Sequence, residues 1–267
     1  GAANSIVLGG PPLAQRVPLL PGMHLLGSVE RPKLNPIPGL LLSWLDTAKD
    51  AAAPVMYISM GTKYELTEFT CVQLVGLLRQ LTGTLGIRVL WSLRASQQEK
   101  LAKFLPEQDV AIRIEKFTPQ PEVLQHPAVK IFLSHCGWGG VTDTIAVGVP
   151  VLAFPGMSEQ FINARGLEDA GAGMMLNEDF SNLEAGAKLL LEDSKYAAAS
   201  KAAGETLRSY GGLEKALDIV EAAASGIHLP PNPTLHATMK DVDPFFTKPQ
   251  VTEQWISCAF FSGLLVL

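Results

Sequence analysis

The chain has 267 residues, 47% of them hydrophobic and 18% charged, and a formal net charge of −5. That much apolar chain can bury a sizeable core, which excludes disorder over most of its length, while the acidic balance argues against a nucleic-acid surface. The three cysteines, Cys71, Cys136 and Cys258, are odd in number and lack metal-like spacing, so neither a disulfide framework nor a structural zinc site is expected and a reducing compartment is the default.

Residues 1–39 are rich in Pro and Gly with little periodicity and read as an irregular connector, with no signal peptide. The chain opens on Gly1 rather than Met, which fits a fragment or a processed piece. From Leu40 the pattern changes to short apolar runs: Val55–Ser59, Ile87–Trp91, Ala111–Ile114, Val129–Ser134, Val149–Phe154 and Gly173–Leu176. Each is rich in Val, Ile or Leu, as strands buried on both faces should be. Between them lie helical stretches: Leu66–Leu81 with Thr67 as N-cap, Gln97–Phe104, Val141–Val147, Glu159–Asp169, Ser181–Leu191, Ser194–Ser209 and Leu213–Ala224. The alternation predicts an α/β domain over 40–226, a Rossmann-like parallel sheet with flanking helices and right-handed crossovers. The tail, 227–267, is first Pro-rich and extended. It then turns apolar from Trp255 to Leu267, a segment that as a helix would reach about 20 Å against roughly 30 Å of bilayer hydrocarbon. It reads as a packed terminal helix or a truncated membrane anchor.

The stretch with chemical content is Phe117–Gln160. A buried strand ends at Ser134, a helix is under way by Val141, and His135-Cys136-Gly137-Trp138-Gly139-Gly140 joins them. In a doubly wound sheet ligands bind beyond the carboxyl ends of the strands, and a helix N-terminus there offers unpaired N–H groups and the positive end of a dipole. Glycines let a phosphate approach the backbone, and His135 adds a donor. Asp143, placed in the first helical turn by this reading, could accept ribose hydroxyls or serve the dipole alone. Such a turn is also a common purely structural device.

The longer pattern is more specific. Pro119-Gln120, His135-Cys136-Gly137-Trp138, Gly148-Val149-Pro150, Pro155, Glu159-Gln160 and Asn163-Ala164 together resemble the nucleotide-sugar signature of the family 1 UDP-glycosyltransferases, in its plant and fungal form. Val55–Thr62 resembles the first strand and phosphate-side loop of that family's C-terminal domain, and Pro21–Asp46 its entering connector. The resemblance covers about residues 10–225 and implies one half of a GT-B fold, the donor-binding domain.

By that resemblance His135 donates to the α-phosphate, and Gly137, Gly139 and Gly140 offer backbone N–H groups to the pyrophosphate, the last two standing where plant members carry Asn and Ser. Thr62 lies near the phosphates or caps a helix; Phe117 stacks on uracil, where plant members carry Trp, or packs at a strand end. Gln120 bonds uracil or sits in a surface loop, and Trp138 meets the sugar or joins the core. Asp143, one methylene shorter than the family's Glu, takes the ribose, and Glu159 and Gln160 take the sugar hydroxyls, Gln160 favouring a gluco configuration. Cys136 reads as a small packing residue and His126, before Pro127, as a turn residue; His24, His228 and His236 stand in Pro-rich segments without visible partners.

The expected activity is inverting transfer of a hexose, glucose by preference, from a UDP-sugar to a hydroxyl of a small lipophilic acceptor, with no cofactor and no metal. The family holds its acceptor pocket and catalytic base in an N-terminal domain, so no catalytic base is expected in this chain, and the isolated chain is expected to be inactive. The alternatives are a donor-binding subunit that works with a separate acceptor-binding chain, a non-catalytic UDP-sugar-binding module, and, less in keeping with Trp138 and Glu159-Gln160, an epimerase of the same shape. A cytoplasmic location is expected, or a membrane-associated one if the tail is an anchor.

Overall fold

A computed structural model describes residues 5–10, 12–13, 22–29, 35–107, 109–227 and 264–266. Two short strands, β1 (Ser5–Leu8) and β2 (Met23–Gly27), come first. Helix and strand then alternate: α1 (Gly39–Asp50), β3 (Val55–Ser59), α2 (Glu68–Thr84), β4 (Arg88–Ser92), α3 (Ala95–Leu101), β5 (Ile112–Glu115), α4 (Gln120–Gln125), β6 (Val129–Ser134), α5 (Trp138–Val147), β7 (Val151–Ala153), α6 (Glu159–Asp169) and β8 (Gly173–Met175). Three helices follow, α7 (Leu183–Glu192), α8 (Lys195–Ser209) and α9 (Gly212–Ala224), and then β9 (Leu264–Val266).

Strands β3 to β8 form one six-stranded parallel sheet in the order β5-β4-β3-β6-β7-β8. The winding direction reverses between β3 and β6, so a crevice opens outside their carboxyl ends, the position where open α/β sheets bind ligands. Ser59 and Ser134 pair at the ends of these two strands, so the loops that follow leave the sheet at the same level.

The sheet is buried on both faces. Met56 and Ile58 of β3, Val89 and Trp91 of β4 and Ile131 and Leu133 of β6 point into one apolar layer with α2 and α7. Tyr57, Leu90 and Phe132 point into the other, with α1, α5 and α8. That two-sided burial is why the strands read as near-continuous apolar runs rather than alternating ones. Thr67 caps α2 as its sequence suggests, its hydroxyl accepting from the Thr70 N–H at 3.1 Å.

The structure departs from the sequence expectation in several places. The lead-in contains β1 and β2, paired in parallel, where an irregular segment is expected; strands of 4 and 5 residues among Pro and Gly are too short to show a period. His24 is buried in β2 and is not without a partner. Helices α1 and α4 are additional to the expected elements, and α5 begins at Trp138, three residues before the apolar pattern announces it. Of the apolar tail, Leu264–Val266 form a strand antiparallel to β1 rather than part of a helix, because the open edge of β1 offers main-chain partners. The rest of the tail, with His228, His236 and Cys258, lies outside the described residues. No helix among the described residues is long and apolar enough to cross a membrane.

Helix α5 is held against α8 by close backbone approach: a Cβ on Gly204 would lie 2.8 Å from the Ile145 carbonyl carbon. On α2, a Cβ on Gly76 would meet nothing within 4 Å. Glycine-to-alanine exchange should therefore act with opposite signs. Gly76→Ala should stabilise the chain by about 0.5–1 kcal/mol, and Gly204→Ala should destabilise it by about 1–3 kcal/mol through overpacking. Urea unfolding of the two variants checks this; equal shifts would show that α5 and α8 are not in backbone contact.

Candidate nucleotide-sugar site

The segments after β3, β5, β6 and β7 all leave the carboxyl edge of the sheet, and their loops and the first turns of the helices that follow carry the candidate residues. Topology therefore brings together Thr62, Phe117, Gln120, His135, Trp138, Asp143, Glu159 and Gln160, which are up to 98 positions apart in sequence.

His135 stands at the switch point, directly after β6. Its ring fits between two backbones: a Cβ on Gly61, after β3, or on Gly137 would come within 2.6 Å of Nε2. Gly61 has φ +71°, so both its conformation and its lack of a side chain are required here. The ring's Nδ1 is buried and has no hydrogen-bond partner. Burial pushes the His135 pKa below the ordinary histidine value, while the Ser59 backbone and the Glu159 carboxylate pull it back up.

The next residue makes the turn. Cys136 is fully buried with φ +62°, an uncommon conformation for a residue with a side chain. Both of its backbone groups are held by side chains: its N–H donates to Ser134 Oγ at 3.1 Å, and its carbonyl accepts from Asn163 Nδ2 at 2.9 Å. Burial raises the Cys136 thiol far above its ordinary value, which suits packing and not nucleophilic attack. Helix α5 then starts from Gly137 with no side-chain cap, leaving its first N–H groups turned toward the crevice. A Cβ on Gly139 would meet nothing within 4 Å, so this exposed glycine leaves the end open, whereas Gly140 is buried, where a Cβ would touch Phe132 and Ser134 at 3.5 Å.

Because α5 begins early, Asp143 is its sixth residue and lies beyond the first turn, contrary to the sequence reading. A role confined to the N-terminal dipole is thereby removed, since that effect fades within one turn. Asp143 Oδ2 instead accepts a hydrogen bond from Gln120 Nε2 at 2.9 Å. Gln120 opens α4 rather than lying in a loop. Phe117 is 79% exposed, so it is not ordinary strand-end packing. The Trp138 ring is half-buried, packs on the α5 side of the core and would lie 3.3 Å from a Cβ on Gly9.

Thr62 does not cap a helix; it is exposed, and its carbonyl accepts from Arg94. Glu159 is the first residue of α6. Gln160 is buried, and its Oε1 accepts from the N–H groups of Gly156 at 2.9 Å and Met157 at 3.1 Å. One of its two polar ends is thus committed to shaping the loop after β7.

Several supporting residues escape the sequence reading. Thr118 is buried between two candidates and bonds the Tyr57 hydroxyl at 2.7 Å, anchoring the 117–120 loop to the core. Arg94 also donates to the Tyr64 carbonyl at 3.3 Å, bracing the loop after β3. Tyr64 packs edge-on against Phe154 and beside Gly156, tying that loop to the one after β7. Asn163 belongs to the sequence pattern but carries no visible assignment, and the others lack any local signal. Their roles depend on partners distant in sequence.

Away from this edge, His126 behaves as the turn residue expected: its Nε2 lies 3.3 Å from Asp46 Oδ1, and its Nδ1 accepts from the Ala128 N–H at 3.2 Å. A groove of about 560 Å³ runs along the outer edge of β8, lined by Met174, Leu189, Lys195 and Tyr196 among others, far from the switch point. Among the described residues no cluster of His, Cys, Asp or Glu could hold a metal ion.

Comparison with known proteins agrees with this geometry. The family described as "UDP-glucoronosyl and UDP-glucosyl transferase" matches residues 12–200. "UDP-glycosyltransferase CGT" of Oryza sativa subsp. indica is 32% identical over 236 residues, covering 84% of this chain and 46% of its own. "Anthocyanidin 3-O-glucosyltransferase 2" of Fragaria ananassa is 37% identical over 129 residues, 48% of this chain and 26% of its own. Among solved structures, a UDP-glucose:anthocyanidin 3-O-glucosyltransferase in complex with UDP superposes with a TM-score of 0.62 at 20% identity, over 76% of this chain and 48% of that one. Os79 from O. sativa, in complex with UDP, gives 0.59 at 26% identity over 76% and 49%. The chain thus spans about half the length of these structures, and between about a quarter and a half of the curated relatives.

His135 generates a pH dependence. Its folded pKa lies below the unfolded value near 6.5, so between the two the unfolded chain binds the extra proton and stability falls as pH falls. Urea unfolding at about pH 7.5 and about pH 5.5 should show wild type losing more stability than His135→Gln. Equal losses would mean that the ring is not held neutral.

Proposed function

The chain belongs to the UDP-glucoronosyl and UDP-glucosyl transferase family, and on that basis we propose that it is the donor-binding part of a UDP-sugar-dependent, inverting glycosyltransferase. The observation that carries this reading is the half-buried His135 ring between two glycine backbones at the switch point, beside the uncapped N-terminus of α5. A diphosphate placed there meets a side-chain donor, free N–H groups and the positive end of a helix dipole. Phe117 offers an exposed ring for the base, Asp143 acceptors for the ribose hydroxyls, and Glu159 with the free end of Gln160 the sugar. Glucose is the proposed sugar, since two of the relatives and neighbours above are named glucosyltransferases, and a small hydroxylated molecule the proposed acceptor.

In the proposed reaction the acceptor oxygen forms a bond to the anomeric carbon, the bond from that carbon to the β-phosphate oxygen breaks, and UDP leaves with the bonding pair. The acceptor proton passes to a base. His135 and the α5 N–H groups stabilise the charge that grows on the pyrophosphate, a preorganised electrostatic role in which no metal takes part. Positioning is the second contribution, since binding the nucleotide fixes the sugar.

The base is proposed to come from a second domain or chain. Among the described residues the His126–Asp46 pair has the right chemistry but the wrong place: it precedes β6, at the amino edge of the sheet, opposite His135. This favours a chain that binds donor and depends on another unit for transfer.

Two results are expected. His135→Ala should lower UDP affinity by about 1.5–3 kcal/mol, the scale of a hydrogen bond to a charged group, and leave uridine binding unchanged. Calorimetry in a chelating buffer measures both; equal losses for the two ligands would make His135 merely structural, and no wild-type binding of UDP would overturn the donor-site reading. Incubated with labelled UDP-glucose and phenolic acceptors, the chain should transfer no sugar, because the missing base alone is worth about 10²–10⁴-fold. Robust transfer would show that a base lies within the chain.

A further inference from the structure

One wall of the slot around His135 is Gly61, in the loop after β3: a Cβ there would come within 2.6 Å of Nε2. That wall stands where it does because a neighbouring segment grips the loop. Arg94 follows shortly after β4 and lays its guanidinium across the loop, Nη1 donating to the Thr62 carbonyl and Nη2 to the Tyr64 carbonyl at 3.3 Å. Gln97 is buried in α3, and its Oε1 accepts from the Leu66 N–H at 3.0 Å. Alternate backbone groups at Thr62, Tyr64 and Leu66 are thus fastened to the start of α3, and the first of them adjoins Gly61.

The fork is suited to this grip and to little else. A guanidinium is planar and presents several donors in fixed geometry, so it can span two acceptors, whereas an ammonium acts as a point charge. Arg94 Nε is buried and has no hydrogen-bond partner, so that edge of the group is closed to a ligand. Arg94 also pairs with Glu65 at 3.5 Å, but the Glu65 side chain is 62% exposed and shared with Lys100 at 3.6 Å, an ion pair that water screens. The effective interaction that remains is the hold on two carbonyls. On its far side the loop is fixed by Tyr64, edge-on against Phe154, while Arg94 fixes the side next to Gly61.

We propose that Arg94 is a positioning residue for the diphosphate end of the donor site: its grip on the Thr62 and Tyr64 carbonyls keeps Gly61 against His135 and so holds the ring in the orientation that meets the diphosphate. This rests on the donor-site reading above and deepens it. Arg94 acts through the loop and the ring and makes no contact with the ligand. Without the grip the loop is free to move away from His135, and the ring gains rotamer freedom that binding must then remove. The nucleoside end of the ligand meets other loops, so the loss falls on the diphosphate alone.

The test is calorimetric titration of the chain with UDP and with uridine, for wild type, Arg94→Gln, Arg94→Lys, His135→Gln and the two double variants. Arg94→Gln should weaken UDP binding roughly five- to tenfold, part of the loss of a hydrogen bond to a charged group, and leave uridine binding unchanged. Arg94→Lys keeps the charge without the fork and should lose about as much. In the His135→Gln background neither change should weaken UDP further, because the loop acts through the ring. Urea unfolding checks that each variant folds, and Arg94→Lys decides alone if Arg94→Gln does not. Wild-type UDP affinity in Arg94→Lys would overturn the proposal and make Arg94 a charge that acts on the ligand directly. An equal loss for uridine, or a loss that persists without His135, would overturn it and leave Arg94 a general support of the fold. Unaltered UDP affinity in both variants would overturn it too while leaving the donor site intact. If wild type binds no UDP, the donor-site reading itself fails.

Discussion

The ring of His135 can stand at the switch point only because two backbones beside it lack a Cβ. Gly61 comes from the loop after β3 and Gly137 from the turn after β6, and each would press a Cβ to within 2.6 Å of Nε2. A bulky ring, buried deeply enough to depress its pKa and to leave Nδ1 without a partner, would be costly in an interior that offered it no function. The rest of the site is arranged around that placement. Cys136 takes a left-handed conformation so that the chain can turn from strand to helix within three residues, and Ser134 and Asn163 satisfy its backbone on both sides. Helix α5 then begins with its N-terminus bare, facing the same crevice.

Rigidity at this edge comes from long-range side-chain anchors rather than from the loops' own sequence. Thr118 fixes the loop after β5 through the buried Tyr57 hydroxyl, which is stacked on Phe132. Arg94 braces the loop after β3 through the carbonyls of Thr62 and Tyr64, and Gln160 closes the turn after β7 from within α6. Tyr64 bridges the last two. For Thr118 and Gln160, both buried, satisfying the polar group and fixing the loop are one event. The result is a site preorganised by the scaffold, with the exposed Phe117 ring as its least constrained member.

The electrostatics follow the same division. The chain carries a net charge of −5, yet the end of the crevice where a diphosphate is proposed to bind is lined by a histidine and by backbone N–H groups. Attraction for an anion is therefore local, built from a helix terminus and one titratable ring. Of the acidic side chains, Glu159 is near enough to His135 to raise its pKa, while Asp143 lies in the second turn of α5 and bonds Gln120.

By itself the sequence determined the α/β architecture and singled out the turn after β6 as the candidate site. The apolar runs, the alternating helical stretches and the glycine-rich turn after Val129–Ser134 are local signals: each depends on residues within a dozen positions and on the burial of a parallel sheet on both faces. The resemblance carried by residues 119–164 added the family, which the match over 12–200 bears out. The start of α5 was not legible, because Trp138, Gly139 and Gly140 show no helical pattern; tertiary packing against α8 and the core decides it, and with it the position of Asp143. Nor were β1 and β2, whose pairing involves partners 18 residues apart in a Pro- and Gly-rich stretch. The Gln120–Asp143 and Thr118–Tyr57 bonds and the Arg94 brace join residues 23, 61 and 32 positions apart. No periodicity or spacing rule pairs such residues; only the assembled sheet, by setting the ends of β3 to β7 side by side, brings them within hydrogen-bonding distance.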